Sequence, residues 1–319
     1  LDISLNLKDA GKGVTIYAES IGDKNMVRAN VQEFKLLPSV SGNLESLLPS
    51  IALGTTSGSG GELTSQYNVR GGNYDENLVY VNDFEIFRPQ LIRAGQQEGL
   101  SFPNIDLIRD LAFSSGGFEA KYGDKLSSVL DIKYKRPEET RGSFMASMLG
   151  ASAHLEGSFK PIKKQGGKVR YLLGARYKTT RYILGSLDTK GEYLPNFIDL
   201  QAYVTYDFKP NWQLALIGNI NQAKYNFTPT ESEVVTGGFF FPNKFSADFE
   251  GKEDDKFKNN MGGLALNFVP AKKQNPSFVK FLTSVYNADE VEAFDILSYF
   301  QVTKLELDLE GGKPKEIGV

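Results

Sequence analysis

The chain holds one histidine, His154, four methionines and no cysteine. That inventory closes off much chemistry. Without cysteine there is no thiol nucleophile, disulfide framework, cysteine-ligated zinc or iron–sulfur cluster. A lone imidazole disfavours multi-histidine metal sites and any mechanism that needs two imidazoles. His154 sits beside Glu156 in an alternating segment, but no Gly-x-Ser-x-Gly elbow accompanies it; it reads as a satisfied histidine on the polar face of a strand. Asp75, Glu76 and Asp83 are close enough in sequence for an acid–base pair or a cation site. No EF-hand spacing is present, and they read as solvated loop acids. The glycine-rich 54–61 segment lacks the Gly-Lys-Ser/Thr and strand-to-helix frame of a phosphate cradle. Arg70-Gly71-Gly72 reads as tight-turn glycines beside an arginine in a buried ion pair. No catalytic residue, metal or cofactor is expected.

The 319 residues allow about two domains. A net charge of −3 leaves no basic surplus for neutralising phosphates, so nucleic acid is not an expected partner. No run of 18 or more apolar residues forms a transmembrane helix. The mean hydropathy of −0.31 does not separate a soluble β protein from a transmembrane barrel, because a barrel hides half its residues in a polar lumen.

Three zones differ in texture. Residues 1–35 hold two short apolar stretches, Ile3 to Leu7 and Val14-Thr15-Ile16-Tyr17-Ala18, followed by a polar run. The alternation begins at Leu1 with no signal peptide ahead of it, so the chain reads as starting mid-strand. Residues 36–137 form a mixed α/β zone. A short helix is expected over 43–51, capped by Ser41 or Asn43, and a second from Pro103 with Ile105, Ile108 and Leu111 or Ala112 on one face. Strands are expected at Leu78–Val81 and Val129–Tyr134.

From residue 141 onward apolar and polar residues alternate. Ala151 to Phe159, Val169 to Thr180, Ile198 to Phe208 and a strand from Trp212 show it clearly, with Leu172 the one apolar residue on a polar face. The phase slips near Asn221, which suggests a β-bulge. Short links alternate with long polar ones at 185–196 and 228–260. The longer link carries the charged run Glu250 to Lys258, read as solvated surface, and Phe239-Phe240-Phe241-Pro242, apolar enough to fold inward, meet a partner lipoprotein or contact substrate. Strands of this length with alternating short and long links fit an outer-membrane barrel; a soluble β-sandwich alternates too.

Two segments carry a resemblance. Asn68-Val69-Arg70-Gly71-Gly72 through Leu78-Val79-Tyr80-Val81-Asn82-Asp83, and Gly116-Gly117-Phe118-Glu119-Ala120-Lys121-Tyr122-Gly123 through Ile132, resemble the plug domain of TonB-dependent outer-membrane receptors, in particular the Bacteroidota type. The resemblance implies a mixed α+β plug domain followed by antiparallel transmembrane β-barrel strands, a partial set of the family's 22. A plug of this size does not fit inside a barrel of about eight strands, so the rest of the barrel is expected to be missing from this chain. The implied domains are 1–12, the end of an upstream β-sandwich-like domain; 13–35, the TonB-box segment and linker; 36–137, the plug; and 138–319, the first part of the barrel. The implied TonB-binding residues are Val14, Thr15, Ile16, Tyr17 and Ala18, and the plug-motif residues are Arg70, Gly71, Gly72, Asp83, Gly117, Tyr122 and Gly123. This chain has Asn82-Asp83-Phe84 where the family often has Asp-Gly, so a different turn is expected there.

The implied function is import of a substrate bound outside the cell, driven by the periplasmic TonB protein, with no enzymatic step. Outer-membrane lipid and a surface lipoprotein are further implied partners. The alternative is a plugged barrel acting as an interaction subunit of a secretion or surface-assembly complex.

Overall fold

The computed structural model describes residues 26–31, 43–50, 52–57, 65–90, 100–161, 167–179, 191–193, 196–236, 243–269, 278–306 and 315–317. The 14–18 segment and Phe239 to Pro242 lie outside them.

Two sheets dominate. The small one contains β1 (Val27–Asn30), β4 (Asn77–Val81), β5 (Phe84–Glu85), β6 (Ile108–Ser114) and β7 (Ser128–Tyr134), in the order β1-β6-β7-β4-β5. Only the β4–β7 pair is parallel. A helical turn, α1 (Leu44–Leu47), and the hairpin β2 (Thr55–Ser57) with β3 (Tyr67–Val69) accompany it. β1 pairs with β6 as an edge strand, inside the segment that the sequence reads as linker. Asn43 occupies the helix N-cap position but its side chain makes no capping hydrogen bond.

The helix expected from Pro103 is not formed. Residues 105–107 make a turn, with Asn104 Oδ1 accepting from the Asp106 amide at 3.1 Å, and the chain enters β6. The register shifts between Ile108 and Asp110. One extra residue there puts Ile108 and Leu111 on the buried side together, three positions apart, and so mimics helical spacing.

The turn after β4 also resolves. Asn82 and Asp83 both adopt positive φ, 49° and 72°. Asn and Asp tolerate this region better than other non-glycine residues, so the pair makes a tight hairpin turn without a glycine. Asn82 Oδ1 accepts from the Tyr134 amide at 3.0 Å and pins it.

The large sheet has ten strands: β8 (Arg141–Ser147), β9 (Gly150–Phe159), β10 (Lys168–Lys178), β11 (Gly191–Tyr193), β12 (Asn196–Lys209), β13 (Trp212–Pro229), β14 (Ser232–Thr236), β15 (Asn243–Phe268), β16 (Val279–Glu306) and β17 (Lys315–Ile317). The order is β17-β16-β15-β13-β12-β10-β9-β8, with β11 on β13 and β14 on β15, all antiparallel. No closure between β8 and β17 is present among the described residues.

One face of this sheet packs on the small sheet; the other is open. Along β13 the inward positions Ala215, Ile217, Asn219, Asn221, Ala223 and Tyr225 are all buried, while Leu216 and Ile220 are exposed. The bulge expected at Asn221 is absent: pairing with β12 and β15 runs through it unshifted. What changes is chemistry. Outward residues turn from Leu214, Leu216 and Ile220 to Gln222, Lys224 and Asn226, while inward ones turn apolar. Ala223 joins Leu100, Phe197 and Phe257 in a second buried cluster.

The charged run Glu250 to Lys258 is likewise strand, not loop: it lies within β15 and pairs residue for residue with β16. Once a hairpin has polar residues on both faces, period-two alternation vanishes from the sequence although the strand continues.

Candidate functional site

The seam between the two sheets gathers most of the buried charge. At its centre is Arg176, on the inward side of β10. Its Nε and Nη2 donate to one oxygen of Asp199 on β12, at 2.8 and 2.6 Å. Its guanidinium also donates to the backbone carbonyls of Ser101, Phe102 and Pro103, at 2.7, 3.2 and 3.0 Å. Asp199 is fully buried, and its other oxygen accepts from Asn219 Nδ2 at 2.6 Å. Gln201 extends the clamp: its Nε2 donates to the Phe102 carbonyl, and its Oε1 accepts from Tyr134 Oη. Large-sheet side chains thus satisfy the carbonyls of a segment whose backbone pairing is a single bridge, Ser101 with Gln90.

Beside the clamp, Glu45 of α1 is buried with one carboxylate oxygen lacking a hydrogen-bond partner. Burial raises its carboxyl above the usual range, against the opposing pull of a hydrogen bond with Ser101 and the charges of Arg176 and Lys178. Lys178 Nζ donates to Asn43 Oδ1 at 3.1 Å.

The apolar part of the seam joins Leu172, Tyr203, Ile217 and Met261 of the large sheet to Phe84, Leu107 and Tyr134 of the small one. Leu172, the apolar exception on a polar face, is 1% exposed because the small sheet covers it. Gly263 on β15 allows the closest approach: a Cβ there would lie 2.6 Å from the Phe84 ring.

Two further ion pairs cross the seam toward β16. Asp83 takes Lys133 of β7 at 2.5 Å and also pairs with Lys280. Arg88 pairs with Glu290 and lies 5.6 Å over the Phe257 ring. A cavity of about 430 Å³, lined by Tyr74, Asp75, Arg88, Gln90 and Glu290 among others, opens between them and the small sheet.

The sequence-selected residues divide. Gly71 has φ 83° and makes a tight turn; Gly72 has no room for a side chain, since a Cβ would meet Ser127 Oγ at 1.8 Å. Gly117 has φ 66°. Nothing within 4 Å constrains Gly123. Tyr122 is buried, donates to Asp131 Oδ2 at 3.1 Å and stacks edge-on against Tyr80. Burial, with the Asp131 charge, pushes its hydroxyl far up.

Three readings need correction. Arg70 is exposed rather than in a buried ion pair; it carries φ 49° at the turn. Glu76 is not a solvated acid: it accepts from Ser127 Oγ at 2.5 Å. Neither is Asp83, for the reason above. The 14–18 segment lies outside the described residues.

His154 is buried, as its strand position implies. Its Nε2 is 2.9 Å from Glu156 Oε2 and its Nδ1 3.2 Å from Ser143 Oγ. Lys135 shares Glu156 at 3.4 Å. The set ties β8, β9 and the chain leaving β7 together. Among the described residues no group of three or more His, Cys, Asp or Glu side chains is placed to hold a metal ion. Sequence reasoning missed Asp199, Gln201, Glu45 and Lys280. The first two alternate on a polar strand face, which was the available signal; Lys280 carried none.

No known family model matches the chain, and no curated protein sequence matches it. Its structure is similar to the siderophore receptor PirA from Acinetobacter baumannii (TM-score 0.48, 13% identity, 83% of this chain, 48% of that one). It is also similar to the copper transporter OprC (0.47, 10%, 94% and 50%) and the outer-membrane transporter YddB from Escherichia coli (0.45, 10%, 88% and 53%). The chain spans about half the length of these structures. Likeness at this level assigns neither substrate nor mechanism to it.

Proposed function

We propose that residues 36–137 are the plug and residues 138–319 the first barrel strands of a TonB-dependent outer-membrane receptor of Bacteroidota type. The observation that carries this reading is the two-faced large sheet. Its inner face clamps the small sheet through Arg176, Asp199 and Gln201. Its outer face is apolar and ends in the aromatic group Phe208, Trp212 and Phe268, with centroids 6.2 and 4.6 Å apart. From Trp212 to Ile220 that face runs about 27 Å along the strand, which at a barrel tilt of about 40° covers about 21 Å of depth, most of the roughly 25 Å apolar band of outer-membrane barrels.

In this reading substrate binds from outside, and Val14 to Ala18 adds as a strand to a sheet of TonB in the periplasm. The pull remodels the plug and opens a path along the wall. No covalent step is involved, and the protein resides in the outer membrane, in contact with its lipid. Deleting residues 14–18 is expected to abolish uptake and leave substrate binding intact; uptake that survives the deletion overturns the assignment.

A second reading rests on the far ends of β15 and β16. Phe294 and Phe300 are 70% and 74% exposed there. Such surface suits a partner protein, which would make the chain an interaction subunit of a surface complex. Stable co-purification with a surface lipoprotein, and a knockout with no substrate-dependent growth defect, distinguish this reading from the first.

A further inference from the structure

Where α1 meets the last residue of β10, three reactive side chains come together out of water. Lys178 is 6% exposed, Asn43 7% and Glu45 3%. Lys178 Nζ lies 3.1 Å from Asn43 Oδ1, a contact that spans 135 residues of chain. Asn43 is the N-cap residue of α1 and Glu45 sits in its first turn, so both side chains issue from the same end of the helix. Lys178 pairs with Phe197 and through it with Ala223, beyond the apolar stretch that ends at Ile220.

The three groups supply what amide formation needs. Burial, with the Arg176 charge beside it, brings the Lys178 ammonium down to about 8, against the opposing pull of Glu45. A desolvated lysine next to another cation is an amine activated as a nucleophile. Asn43 offers the carboxamide carbon behind the oxygen that Lys178 contacts. Burial raises the Glu45 carboxyl, and one of its oxygens has no hydrogen-bond partner. A carboxyl held protonated beside an amine can pass protons in both directions. Keeping amine and amide together in a dry site removes the entropic cost that makes the same reaction negligible in water.

We propose that Lys178 and Asn43 condense into an intramolecular isopeptide bond that ties α1 to the wall of the large sheet. Lys178 Nζ attacks Asn43 Cγ, and a new C–N bond forms. Glu45 takes a proton from Nζ and gives its own to Asn43 Nδ2. The Cγ–Nδ2 bond breaks and ammonia leaves. Glu45 ends as it began, and no oxidant or co-reactant is consumed. The reaction happens once per chain, after folding has docked the two sheets, and it does not depend on what the protein transports. Within the reading above, it limits what a pull from residues 14–18 can draw out to the chain before Asn43.

The test is intact-mass spectrometry of the full-length protein, purified from membranes and denatured, followed by tryptic mapping. The parent protein is expected to be lighter than its sequence by one ammonia. Trypsin is expected to leave the bond after Lys178 uncut and to yield a branched species joining residues 36–70 to residues 177–181. Lys178→Arg and Asn43→Ala are expected to restore the full mass. Glu45→Gln conserves volume and leaves both reacting groups in place, and it is expected to slow bond formation by about a hundredfold. Formation at the parent rate in Glu45→Gln overturns the role of Glu45. The parent mass decides even where a variant fails to fold. A parent of full mass with ordinary tryptic ends at Lys178 overturns the bond. So does loss of ammonia without the branched species, as from cyclisation of an asparagine.

Discussion

Lys280 on β16 forms an ion pair with Asp83, 197 residues earlier, in the turn between β4 and β5. The same carboxylate takes Lys133 from within the small sheet, so one side chain is shared by a cation of each sheet. The turn reaches this position because two left-handed residues in succession, Asn82 and Asp83, reverse the chain tightly enough to aim the carboxylate at the wall.

Asp83 makes this contact acid-sensitive. Burial acts to raise its carboxyl, but Lys133 and Lys280 outweigh it and hold the group at about 2, below its ordinary 3.8. A depressed folded-state value stabilises above the unfolded value and is lost as pH falls through the folded one. The contribution is therefore expected in full above about pH 4 and to disappear toward pH 2. Asp83→Asn should lower the thermal midpoint at neutral pH and leave it unchanged near pH 2. Equal differences at both values would remove Asp83 from the coupling.

The clamp at Arg176 should be the costliest single point in the seam. Arg176→Leu leaves Asp199 buried and without its cation, and frees the carbonyls of Ser101, Phe102 and Pro103. Loss of one member of a buried pair typically costs about 3–5 kcal/mol. Arg136, whose pair with Asp207 is 3.7 Å long and half-exposed, should cost no more than about 1 kcal/mol when changed to Leu. Denaturant midpoints of the two variants, measured side by side, check the ranking. Limited proteolysis should also show the 101–104 segment opened only in Arg176→Leu.

Sequence alone carried the regular parts of the fold and lost the irregular ones for physical reasons. Leu78–Val81 and Val129–Tyr134 were readable because a buried strand is a run of apolar residues, and β9, β10 and β12 because one face differs from the other. β6 reads as a helix in the sequence because its bulge shifts parity and imitates a helical repeat. The slip at Asn221 was real, but it marks a change of surroundings on both faces of a regular strand, not a change of backbone. At the seam, Arg176 is a charge on the polar side of an alternating strand. Its backbone acceptors carry no mark in the sequence, because Pro103 lies 73 residues away and only the docking of one sheet on another brings it close. Leu172 was visible as an anomaly whose meaning depended on what covered it.

Adjacent glycines at the Arg70 turn should respond differently. Gly72→Ala places a Cβ on Ser127 Oγ and 2.8 Å from Glu76 Oε2, and so breaks the Ser127–Glu76 hydrogen bond. Overpacking of this kind costs about 1–3 kcal/mol. Gly71→Ala meets nothing within 4 Å and suffers only the left-handed backbone, about 1–2 kcal/mol. The double variant Gly72→Ala with Ser127→Gly removes the clash and should recover part of the thermal midpoint, whereas Ser127→Gly should not help Gly71→Ala.

The outer face of β13 gives the sharpest test of the membrane reading, because its hydrogen-bond register is uniform while its side chains are not. Leu216 and Gln222 both point outward from the same strand, three alternate positions apart. If the apolar stretch from Trp212 to Ile220 lies in hydrocarbon, Leu216 sits near its middle and Gln222 beyond its edge. Leu216→Arg should then cost about 2–4 kcal/mol for folding into lipid vesicles, and Gln222→Arg about 0–1 kcal/mol. In a soluble sheet with one face in water, both arginines would sit in water and the two costs would be alike. The inward neighbour supplies the control: Asn221 is fully buried, donates to the Ile198 carbonyl at 3.1 Å and faces the small sheet. Asn221→Leu should therefore destabilise in vesicles and in detergent alike, since the bond it removes lies on the side away from lipid. A depth-dependent penalty on the outer face, with none of that dependence on the inner one, is expected only of a membrane-spanning wall.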